Sequence, residues 1–160
     1  MLWREHHDAG NMTVQDIDRG WNAIKREVEK AQGQIVAVGI LSGASNDGAS
    51  IAEYATYNEY GTKHIPSRPF MAMSLDEGRP EIDADFKRQG DKLVTGKTTA
   101  QAALTIIGQK HVTRIKKTIT GRNIPPPLSP KTVARKKGSS KTLVDTGAMV
   151  NAVQIELRNK

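Results

Sequence analysis

The sequence predicts an α+β fold: a small, mostly antiparallel sheet packed against a long N-terminal helix and two further helices, with a long basic Pro-rich loop. Three observations predict it. Apolar residues recur at helical spacing near the start and again in the middle of the chain. Two short runs, Gln34–Leu41 and Val153–Arg158, carry strand patterns instead. Arg122–Ser140 combines three consecutive prolines with clustered cations and has no apolar period. The chain of 160 residues is long enough for one domain that buries roughly two thirds of its unfolded surface.

Residues 1–12 show no period and read as a flexible leader, with Met12 a candidate start codon; residues 13–160 read as a single domain. Thr13 and Asp16 form a capping-box-like pair. Val14, Ile17, Trp21, Ile24, Val28 and Ala31 then follow at spacings of three and four, and Gly33 ends the helix. The stripe is short for a coiled coil and is expected to pack on a sheet. Gln34–Leu41 is apolar on both faces, which predicts a central strand. A Gly/Ser/Asn loop leads to a short helix over Ile51–Tyr60 that holds Tyr54, Tyr57 and Tyr60, expected to form one partly buried aromatic edge.

Pro66 and Pro69 force His64–Phe70 to be extended. Met71 can start a helix, and Gly78-Arg79-Pro80 is expected to interrupt it before Ile82, Phe86 and Leu93 resume a helical face. Thr98 and Gln101 read as a capping box for a helix bearing Ala100, Ala103, Leu104, Ile107, His111, Ile115 and Ile119 on one face and stopping at Gly121. His111 reads as a solvated or satisfied structural residue. Ser129-Pro130 starts one turn that Gly138 would close. Asp145 or Thr146 caps a last short helix through Met149, and Val153, Ile155 and Leu157 alternate with polar residues along a half-exposed final strand.

The formal net charge is +7, but it is unevenly placed. Residues 1–80 hold eight basic and eleven acidic side chains, a net of −3; residues 81–160 hold sixteen and six, a net of +10. No Asp or Glu lies between Asp91 and Asp145, a gap that contains Lys110, Arg114, Lys116, Lys117, Arg122, Lys131, Arg135, Lys136, Lys137 and Lys141. Three readings fit this block. It could neutralise nucleic-acid phosphates, although it holds no Phe, Tyr or Trp to stack on bases. It could dock on an acidic protein surface, the acidic half of a second copy included. It could be a solvated loop. The absence of Cys excludes disulfide frameworks, thiolate zinc sites and cysteine nucleophiles.

Chemistry-bearing strings have plain structural explanations. Asp145-Thr146-Gly147-Ala148 reads like a retropepsin active-site loop, but thirteen residues follow Gly147, too few for the rest of such a barrel. Gly96-Lys97-Thr98 resembles the end of a phosphate loop, yet position 91, where that loop needs Gly, is Asp; a helix C-cap is the simpler reading. His6-His7 with Glu5 and Asp8 has nothing downstream to complete a metal site. Glu81, Asp83 and Asp85 read as a solvated face. No constellation supports catalysis, and no cofactor or metal is expected.

Two stretches resemble a family. Ala52–Thr62, with Tyr57, Glu59, Tyr60 and Gly61, is followed by Ile65-Pro66-Ser67-Arg68-Pro69-Phe70-Met71. Together they are similar to the Tyr-rich helix and Arg-Pro-Phe turn of the small tail-completion, or neck, proteins of long-tailed bacteriophages. Leu143-Val144-Asp145-Thr146-Gly147-Ala148, continuing to Val153, resembles the ending of the same family.

The resemblance implies a virion structural protein and no enzyme. It would form rings, commonly hexameric, in the neck or at the top of the tail, after assembly in the host bacterial cytoplasm. Its partners would be further copies of itself and neighbouring connector, portal-side or tail-tube proteins. DNA would be only passing cargo in the lumen, and no membrane would be involved. The alternative is a small basic nucleic-acid-binding protein. Residue by residue, Gly61 permits a left-handed exit from the Tyr helix. Arg68 can reach the Glu59 carboxylate or carbonyls at a helix end. Phe70 anchors the next helix, and Gly147 lets the chain turn tightly.

Overall fold

A computed structural model describes residues 20–41, 43, 45–46, 48–121, 123–136 and 140–159. In chain order the elements are α1 (Trp21–Ala31), β1 (Gln34–Ile40), β2 (Ser45–Asn46), β3 (Ala49–Ser50), α2 (Ile51–Tyr60), α3 (Phe70–Val94), α4 (Ala100–Gly121), α5 (Pro130–Arg135), α6 (Ala148–Asn151) and β4 (Val153–Asn159). This is the expected α+β class with antiparallel strands. The Thr13/Asp16 cap and the first turns of the N-terminal stripe lie outside the described residues.

Strands β1 and β4 join the two ends of the described chain. They pair antiparallel from Gln34 opposite Asn159 to Ile40 opposite Val153. Strands β2 and β3 form a separate two-residue hairpin that runs straight into α2. The expectation that Gln34–Leu41 is a central strand is therefore corrected: among the described residues β4 is its only strand neighbour. Val36, Val38 and Ile40 turn with Leu157, Ile155 and Val153 toward α4, while Ile35, on the opposite face, is half exposed.

Helix α4 is the hub. One side meets the sheet at Gly108, where an added Cβ would stand 2.7 Å from Val36 Cγ2 and 3.0 Å from Ile155 Cγ2. The neighbouring side meets α3. The core gathers where α2, the start of α3, the second half of α4, α6 and β4 converge: Ile51, Phe70, Ile115, Ile119, Met149 and Val153 are buried there, with Ile124 and Leu143 from the connecting segments. Burial of such side chains contributes roughly 1.5–3 kcal/mol each before the entropy cost is subtracted.

Helix α3 departs from expectation. It runs unbroken for 25 residues through Gly78-Arg79-Pro80. Pro80 forfeits one backbone hydrogen bond, and packing along the remaining length outweighs that loss. Gly78 is small for a tertiary reason: its missing Cβ would lie 3.0 Å from Arg114 Cδ on α4. The buried stripe of α3 beyond Phe70 is Ser74, Gly78, Asp85 and Gln89, so the apolar face expected through Phe86 is misplaced; Phe86 is 49% exposed.

The start of α4 is one residue later than expected. Thr99, not Thr98, accepts from the Ala102 N–H, at 3.2 Å. The end of α3 is a Schellman turn: Lys97 N–H reaches Lys92 O at 2.8 Å and Gly96 N–H reaches Leu93 O at 3.0 Å, with Gly96 at φ +68°. That is the C-cap role expected for Gly96. Helix α1 packs on α3 and α4 rather than on the sheet, buries no residue completely, and uses Glu27 to accept from the Ala100 N–H at 3.4 Å.

Two glycine replacements separate packing from propensity. Gly108→Ala is expected to lower stability on the order of 1 kcal/mol, because overpacking against the sheet exceeds the roughly 1 kcal/mol gained in helix propensity. Gly90→Ala, where a Cβ meets nothing within 4 Å, should raise stability by up to about 1 kcal/mol. Thermal melts of both variants, moving in opposite directions by a few degrees, check the pair.

Candidate functional site

Glu59 and Arg68 flank the turn between α2 and α3, and both are buried, 9% and 5% exposed. The last turn of α2 ends at Gly61, whose φ of +79° and close approach to Ser67 exclude a side chain. The turn that follows is closed on itself. Thr62 N–H donates to Ile65 O at 2.7 Å, and its hydroxyl accepts from the His64 and Ile65 N–H groups. Ser67 Oγ donates to Glu59 O at 2.7 Å, and Arg68 N–H donates to Asn58 O at 2.6 Å.

This closure delivers the Glu59 carboxylate to the head of α3. Its two oxygens accept from the N–H groups of Met71 and Ala72, each at 2.9 Å. Pro69, the residue before the helix, offers no side-chain cap, so a carboxylate from ten residues upstream does that work and lies against the positive end of the helix dipole. Arg68 does not pair with Glu59. Its Nε donates to Pro126 O at 3.1 Å and thereby holds the triple-proline segment to the body. Burial lowers the Arg68 pKa from its usual value.

Two stretches far apart in sequence, Ala52–Met71 and Leu143–Val153, meet. Tyr54 from α2 and Asn46 line a cavity of about 240 Å³ with Leu143 and Asp145–Met149. Gly147 adopts φ +81° there, and Thr146 Oγ1 accepts from the Ala148 N–H at 3.3 Å, so Thr146 rather than Asp145 serves α6. Lys136 closes the other flank by donating to Lys141 O at 2.6 Å and Val144 O at 2.7 Å. Burial pulls its pKa down, partly countered by Asp145, while Arg68 adds to the lowering. Tyr54 is half buried with its pKa raised by burial, Tyr57 donates to Glu53, and Tyr60 is 80% exposed. Three tyrosines spaced by three drift around the helix, so they form no single edge.

The basic block divides according to what each cation touches. Lys110 and Arg114 are bound to the carboxylates of α3. Lys110 Nζ pairs with Asp85 Oδ1, Arg114 Nη2 with Asp85 Oδ2 at 3.2 Å, and Arg114 Nε with Glu81 Oε2 at 2.8 Å. Asp85 is 4% exposed, which corrects its reading as a solvated residue. The hydrogen bond from Lys110 is the largest influence holding its carboxyl below the ordinary Asp value. Lys136 and Lys141 serve as tethers, Lys141 Nζ donating to Thr120 O. Lys117, Lys131 and Arg135 are exposed and Lys116 is partly exposed; Arg122 and Lys137 lie outside the described residues. The hidden signal in the sequence was a matched spacing, Glu81/Asp85 and Lys110/Arg114, each four apart on helices joined by a short turn.

His111 is half buried on α4 with Nδ1 unpartnered, and burial together with Arg114 lowers its pKa. Among the described residues no group of His, Asp and Glu could hold a metal ion, and no helix is long and apolar enough to cross a membrane. No protein-family model, no curated protein and no solved structure matches the chain.

Glu59→Gln keeps one acceptor and loses the charge; about 1–2 kcal/mol of stability should be lost in urea titrations. Asp85→Asn should cost about 2 kcal/mol at neutral pH, less than a fully buried pair because Lys110 is part exposed. Asp85 has a depressed native pKa, so its contribution is complete above the ordinary value of 3.8 and disappears as pH falls through the lower native value. The stability gap between wild type and Asp85→Asn should therefore narrow toward zero in acid, read from denaturation at stepped pH.

Proposed function

We propose that the protein is a non-enzymatic structural subunit of a tailed bacteriophage, completing the tail or joining head to tail as a member of a homomeric ring. One observation carries the reading: Ala52–Met71 and Leu143–Val153, which resemble tail-completion proteins in sequence, pack beside one another around the Tyr54 cavity. The side chains that recur in the resemblance have scaffold tasks. Glu59 caps α3, Gly61 and Gly147 make turns, Phe70 fills the core, and Arg68 pins the Pro-rich segment. Such tasks suit a protein whose product is a surface.

The cations left exposed on α5, Lys131 and Arg135, with Lys116 at the end of α4, form the outward basic surface through which neighbouring subunits or rings are contacted. Four of the described block residues, Lys110, Arg114, Lys136 and Lys141, are already engaged within the chain. That leaves a nucleic-acid-binding protein fewer phosphate contacts than the sequence suggests.

Light scattering and negative-stain electron microscopy of the purified protein should reveal a closed ring, or mass spectrometry should find it in virions. Lys131→Glu/Arg135→Glu should block assembly without lowering Tm. A strictly monomeric protein absent from particles, or one that binds duplex DNA with an affinity falling tenfold or more as salt rises to physiological levels, overturns the reading.

A further inference from the structure

Two adjoining cavities, about 500 and 300 Å³, run along the seam between α3 and α4 and share Glu81, Arg114 and Lys117. We propose that this seam is a docking groove for an acidic peptide segment presented by another protein. The inference does not depend on ring assembly.

The charges on the walls carry it. Arg88, Lys110, Arg114 and Lys117 face Glu81 and Asp85 in the larger cavity, four cations against two carboxylates. Asp85 is enclosed and already engaged by Lys110 and Arg114, with Arg88 at a longer 3.5 Å. In the larger cavity the charge turned outward is therefore positive: Arg88 and Lys110 keep about half their side-chain surface, and Lys117 has no ion pair or hydrogen bond among the described residues. Arg114 gives Nε to Glu81 and Nη2 to Asp85, which holds its guanidinium in place on the floor of both cavities.

The same walls select a peptide over a nucleic acid. Glu81 is 72% exposed along its side chain. Duplex DNA, with about one charge per 1.7 Å, brings phosphates against that carboxylate. A peptide sets its carboxylates apart, opposite Arg88 and Lys117, and offers backbone N–H groups to Glu81.

Fluorescence anisotropy with a labelled peptide of alternating Glu and Gly tests the proposal, with a labelled short DNA duplex as the competing probe. The peptide should bind the wild type, and Arg88→Glu/Lys117→Glu should weaken it by about tenfold or more. A reversal of equal charge elsewhere, Lys63→Glu/Lys97→Glu, should change it by less than about threefold at physiological salt. Circular dichroism confirms folding; should the groove variant not fold, Lys117→Gln, at an exposed residue without a partner among the described residues, must still weaken binding by about threefold. The proposal is overturned if the peptide does not bind the wild type, if both reversals weaken it equally, or if DNA binds more tightly and is lost with the groove variant.

Discussion

The structure depends first on the Glu59 carboxylate at the head of α3. The head of a 25-residue helix presents backbone N–H groups that lack intrahelical partners, together with a partial positive charge. Pro69 cannot cap them, because its ring carries no acceptor. The nearest acceptor is delivered by tertiary closure: Gly61 turns α2 back, Ser67 and Arg68 fasten the turn to the end of α2, and Glu59 arrives with both oxygens aligned on Met71 and Ala72. The relative placement of α2 and α3 is thus set by hydrogen bonds to a charge, which are stronger and more directional than apolar contact. Phe70 then drops into the core beneath that junction.

From this junction two different interfaces extend along α4. Toward the sheet the contact is apolar and close, permitted by the absence of a side chain at Gly108. Toward α3 it is polar, built on Asp85 between Lys110 and Arg114. The two are complementary in what they specify. Apolar packing tolerates sliding, whereas a buried carboxylate must meet its cations or lose several kcal/mol, so the Asp85 cluster fixes the register of the two long helices. It also explains why so much of the basic block is internal wiring. A cation on a helix is not free because its own neighbourhood in sequence lacks acids; the acids can come from the other helix.

Read from one end to the other, the chain shows how far local pattern reaches. Ser129 with Pro130 begins α5, and the Ser129 hydroxyl accepts from the Thr132 N–H. Gly96 closes α3, and the Val153–Arg158 alternation becomes β4. Each of these is decided within a turn or two of backbone. Gly78-Arg79-Pro80 failed as a break because local propensity was outweighed by packing over the whole length of α3. Gln34–Leu41 failed as a central strand because a second apolar face does not specify whether a strand or solvent lies beside it.

The sequence by itself determined the α+β class, most helix positions and the final strand, since all of these rest on short-range periodicity, capping and turn chemistry. Only the tertiary structure decided what the polar residues do. Glu59 and the N–H groups it caps lie twelve and thirteen residues apart, Arg68 and Pro126 nearly sixty, and Asp85 and Lys110 twenty-five. A charge has no period, and its partner is whatever the fold brings within 3 Å. The basic block shows the difference: composition fixed its sign and size, but packing separated the cations that hold the molecule together from those that face outward.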